Sequence, residues 1–77
     1  MWWYFVKLNE TENMFIYSYG FESKETTGQF EYDKKTNTIN ILKYANNHLE
    51  SNTDIQLAAY QLVKDHSNLD HKIIAYG

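Results

Sequence analysis

The sequence predicts an α+β domain: a mainly antiparallel sheet of four to five strands, in the order β-β-β-β-α-β, with one helix packed on one face. Three observations carry this. A single stretch, Thr53–His66, repeats its apolar residues at helical spacing. The residues before 45 form short runs of aromatic and β-branched side chains, as strands do. Polar turns of a few residues separate those runs, which favours hairpins over crossover connections.

Within the helical stretch, Ile55, Ala58, Ala59, Leu62 and Val63 fall at i, i+3, i+4, i+7 and i+8. That spacing sets all five on one stripe of a 3.6-residue helix. Thr53 and Gln56 have the spacing of a capping box, and Asp54 sits in the first turn, where the helix dipole favours a negative charge. Asn68 follows the expected end and tolerates a left-handed conformation. The two alanines let the helix lie close to whatever it covers.

In chain order, Trp2–Leu8 reads as a first strand, with Trp2, Tyr4, Val6 and Leu8 on one face and Trp3, Phe5 and Lys7 on the other. Both faces are apolar, as in a central or doubly covered strand. Asn9–Asn13 is a polar turn. Met14–Phe21 reads as a second strand, with Phe15, Tyr17, Tyr19 and Phe21 on one side. A polar loop, Gly20–Gly28, leads to Gln29–Asp33, where Phe30 and Tyr32 alternate with Gln29, Glu31 and Asp33. Asp33–Asn37 has turn chemistry at both ends, since Asp bonds its own backbone and Asn accepts a positive φ. Thr38–Tyr44 closes that hairpin. Residues 45–52 combine helical spacing at Leu42, Ala45 and Leu49 with two asparagines that favour a loop. After the helix, Ser67–Asp70 is a turn and His71–Tyr76 a short final strand.

Seventy-seven residues make one domain, spanning 1–77. So small a domain gains little margin from its own core, and the usual remedies are disulfides, metals or association. There are no cysteines, which removes disulfides and thiolate metal sites. The N-terminus lacks the basic start and cleavage site of a signal peptide, and no apolar run reaches the length of a membrane span. The expectation is a cytoplasmic protein that neither enters nor binds a membrane. Net charge is −3 and every cation is lysine. Arginine, the preferred partner of phosphate and guanine, is missing. Many lysines and asparagines without arginine also suit an AT-rich bacterial genome.

His48, His66 and His71, with nearby carboxylates, are the only candidates for a divalent metal, but no shared periodicity aims their rings at one point. A histidine near a helix C-terminus has a plainer role against the dipole. The serines show no nucleophile elbow, and three glycines supply neither a phosphate loop nor a dinucleotide fingerprint. No catalytic residue, metal or cofactor is expected. The aromatics Tyr17, Tyr19, Phe21, Phe30 and Tyr32 resemble a base-stacking platform in type, yet Glu22, Glu25, Glu31 and Asp33 surround them where phosphates need cations. Nucleic-acid binding is therefore not expected.

The sheet offers the best lead. One helix with a narrow stripe covers one face, whereas the first two strands carry bulky apolar groups on both. The reading that follows is a non-catalytic protein–protein interaction module, joined to a second copy as a homodimer or to another protein. The patch is assigned to Tyr17 and Tyr19 with Trp3 and Phe5, the face with Trp2 and Tyr4 being the other choice. The alternative from a different class is a small-ligand-binding protein or enzyme with an aromatic and histidine-lined pocket.

Overall fold

A computed structural model of the chain describes residues 1–46 and 53–75. Five strands form one sheet: β1 (Trp2–Glu10), β2 (Met14–Phe21), β3 (Gly28–Asp33), β4 (Thr38–Lys43) and β5 (His71–Ala75). One helix, α1 (Thr53–His66), lies between β4 and β5 in sequence. The strand order is β4-β3-β2-β1-β5 and every neighbouring pair is antiparallel. The α+β architecture with a single helix is as the sequence predicts. The final strand returns beside β1, so β1 and β2 are interior and β4 and β5 are the edges. The 45–52 alternative falls almost wholly outside the described residues. So do His48, the side chain of Thr53 in the capping box, and Tyr76.

Register decides which face is which. Trp3, Phe5, Tyr17, Tyr19, Phe30 and Tyr32 stand on one side through the pairs Phe5–Tyr19, Tyr17–Phe30 and Phe15–Tyr32. The helix stripe Ile55, Ala58, Ala59 and Leu62 is buried in the same cluster, and Val63 packs against it from the stripe's margin. Aromatic rings dominate this core. Phe30 stacks on Tyr17 at 5.3 Å between centroids and meets Phe5 edge-on at 5.8 Å. Such pairs add roughly 0.5–1.5 kcal/mol each beyond the area they bury.

A register shift between Lys7 and Asn9 bends β1 near its end. It brings Glu10 opposite Phe15, onto the side of the sheet that carries Lys7. There the Phe15 ring is capped by cations rather than by the helix. Lys34 Nζ lies 4.2 Å and Lys7 Nζ 5.1 Å from its centroid. Glu10 binds both lysines, at 3.0 and 3.1 Å. Lys7 also donates to Ser67 O at 2.5 Å, tying the start of the sheet to the end of the helix. The bonds from Lys7 and then Lys34 hold the Glu10 carboxyl below its ordinary range. A lowered folded pKa means this clasp stabilises above the unfolded carboxylate pKa, near 4.5, and fades as pH falls through the folded value.

Two turn residues have positive φ, Asn37 at 55° and Glu22 at 52°. Asn37 fits, because asparagine visits this region readily and its side chain accepts a bond from the Tyr32 hydroxyl. Asn68 keeps a negative φ, contrary to the expectation for the helix end. Glu22 has no such excuse: its backbone N–H donates to Trp2 O at 2.9 Å, which holds it in place. Replacing Glu22 with glycine is expected to raise stability by about 1 kcal/mol, the usual cost of a left-handed non-glycine residue. Chemical denaturation checks this; an unchanged or lower midpoint would show that the strain is not there.

Candidate interaction surface

The structure corrects the face assignment. Trp3, Phe5, Tyr17 and Tyr19, the four residues expected on an outer patch, are each 0% exposed under the helix. They are core because β3 carries Phe30 and Tyr32 on the same side, and those rings leave no room for another chain. The aromatics considered as a base-stacking platform lie on the same side: Tyr17, Tyr19, Phe30 and Tyr32 are buried there, and Phe21 is half-buried. The hydroxyls of Tyr17 and Tyr19 are pushed up to about 12 by burial, Tyr17 further opposed by the Glu10 charge. Both remain protonated near neutral pH and neither is poised as a base.

The other face is built from the alternate residues. Trp2, Tyr4 and Val6 on β1 pair with Ala75, Ile73 and His71 on β5. On β2, Ser18 and Gly20 lie beside Val6 and Tyr4, and Ile16 and Met14 continue the row toward the hairpin. Trp2, Tyr4, Val6, Met14 and Ile16 are half-buried, and Ile73 is 43% exposed. Beyond them β3 and β4 present Gln29, Glu31, Asp33, Thr38 and Asn40. The face is thus an apolar band over β5, β1 and β2 with a polar margin on one side. No helix or strand of the described residues lies over it.

Lys24 and His71 edge this band. Lys24 Nζ lies 5.8 Å from the Tyr4 ring centroid, and the His71 ring lies 6.2 Å from it on the β5 side. His66 is the last residue of α1. Among the described residues no three His, Cys, Asp or Glu side chains are placed to hold a metal ion. A shallow pocket of about 100 Å³ opens between the β2–β3 loop and the chain after β4, lined by Phe21, Ser23, Glu25, Thr27, Ala45 and Asn46. Among the described residues no histidine lines it. Its hydroxyls are engaged within the fold: Ser23 Oγ accepts from Glu25 N at 3.0 Å, and Thr27 Oγ1 from Asn46 N at 2.8 Å.

Among the described residues no helix is long and apolar enough to cross a membrane. Compared with known proteins, the chain matches no family model, no curated protein and no solved structure. Sequence reasoning named this face, with Trp2 and Tyr4, only as the other choice, because the register between strands is not legible in the sequence. The useful signal was the strict alternation of β3, which puts Phe30 and Tyr32 against three polar neighbours and so marks the helix side.

Proposed function

We propose that the protein is a non-catalytic interaction module that associates with a second copy of itself through the side of the sheet the helix leaves uncovered. One observation carries the reading: Trp2, Tyr4, Val6, Ile16 and Ile73 share a face on which no described element packs. Aromatic residues suit contacts of this kind because each buries much area at the cost of few rotatable bonds. A domain of 77 residues also has more to gain from association than a large one. Twofold pairing is the commonest closed form.

Light scattering across a concentration series tests the stoichiometry. The mass is expected to rise toward twice the 9.2 kDa of one chain as concentration increases. A constant mass of one chain up to millimolar protein would reject self-association.

A further inference from the structure

The free edge of β5 is its own complement. Hydrogen-bond parity in the ladder is set by two backbone bonds, Lys7 N to Asp70 O at 2.8 Å and Glu22 N to Trp2 O at 2.9 Å. Bonded pairs recur at every second residue of an antiparallel ladder. Phe5 with Lys72 and Trp3 with Ile74 are therefore the bonded pairs between β1 and β5, while Trp2, Tyr4 and Val6 turn their backbone groups toward β2. By the same parity, the N–H and C=O groups of His71, Ile73 and Ala75 point away from β1. No strand of the described residues lies on that side.

The two edges of the sheet are not alike. Where β4 joins β3 the register shifts, so that Leu42 falls out of the pairing and exposed Lys43 follows it. Bulges and edge lysines are the devices by which sheets discourage further pairing. Between β1 and β5 the register is unbroken, and β5 contains no proline. Its one lysine, Lys72, stands on the helix side of the sheet, in register with Phe5.

We propose that the β5 edge is the line of contact with the second copy: two β5 strands pair antiparallel about a twofold axis at Ile73, fusing two sheets into one. The proposal rests on the self-association reading above and places the contact at the β5 border of the uncovered face, so that the two faces meet side by side rather than stacked. Three edge residues spaced by two and centred on Ile73 make the strand self-complementary. Ile73 exchanges both backbone bonds with the partner's Ile73, and His71 does so with the partner's Ala75. Lys72 then lies across from the partner's Ile74, so no like charges meet. Exposed Ile73 is covered by its own copy, and the two apolar bands join across the axis. Each copy spends its single open β5 edge, so assembly stops at two.

Amide hydrogen exchange on the full chain, at several concentrations, reads this directly. The amides of His71, Ile73 and Ala75 are expected to slow at least tenfold as the dimer fills. Those of Ile39 and Ile41, which face the open side of β4 by the same parity, keep their rates. Ile73→Lys sets two lysines side by side at the axis and is expected to give a folded monomer. A dimer whose β5 amides exchange at the same rate at all concentrations, and which Ile73→Lys leaves intact, overturns the edge geometry while self-association stands. A monomer at every concentration overturns both. Should Ile73→Lys fail to fold, the exchange rates of the unaltered chain decide alone.

Discussion

Gly28→Ala is expected to cost about 3 kcal/mol, at the upper end of what overpacking a core does. A Cβ at Gly28 would stand 2.3 Å from Tyr19 Cε1 and 2.7 Å from Ala45 N. Neither neighbour can give way easily. The Tyr19 ring is fully buried, and its hydroxyl accepts from that same Ala45 N at 3.1 Å. Gly28 pairs with Tyr19 across the sheet, so the ring lies over the space a side chain would fill. This is the rescue of a strand glycine by a cross-strand aromatic. Denaturant midpoints of Gly28→Ala, Tyr19→Leu and the double variant test it. A double variant no more stable than the sum of the singles predicts would show that the ring is not what the methyl meets.

Ala59→Asp is expected to be comparably severe, by several kcal/mol, because it places a charge without a partner among apolar side chains. Ala59 is 0% exposed in the aromatic cluster. Two residues earlier, Leu57 is 61% exposed, so Leu57→Glu is expected to change stability by no more than about 0.5 kcal/mol. The two positions share a helix and differ in direction. Equal melting temperatures for the two variants would mean that the helix is rotated from the position described.

Much of the fold was legible because alternation and helical spacing are local signals. Met14–Phe21 and Thr53–His66 have the predicted bounds, and the other strands begin or end within two residues of expectation. The face of the helix was also legible, since Ile55, Ala58, Ala59 and Leu62 leave no other stripe. What the sequence withheld is register. Alternation sorts Trp2, Tyr4 and Val6 from Trp3 and Phe5, but it does not say which set meets the helix when both are apolar. That choice is made by strands distant in the chain: β3, polar on one side only, forces Phe30 and Tyr32 inward and carries Tyr17 and Phe15 with them through pairing. The shift between Lys7 and Asn9 was likewise hidden, because nothing local in Lys7-Leu8-Asn9 marks a bulge. The edge position of β5 follows from closure over the helix, a tertiary event with no local signature.

The division of the sheet into a helix side and a free side is read most directly by the two adjacent tryptophans. Trp3 is 0% exposed, and Trp2, one residue away, faces the other side. Fluorine NMR of the chain labelled with 5-fluorotryptophan, assigned with Trp2→Phe, gives one resonance for each. The Trp3 resonance is expected to be insensitive to exchange of H₂O for D₂O and to protein concentration. The Trp2 resonance is expected to respond to solvent at low concentration and to shift as the second copy arrives. A solvent-sensitive Trp3, or a Trp2 resonance unchanged over the whole concentration range, would contradict this division of the sheet and the role given to its free side.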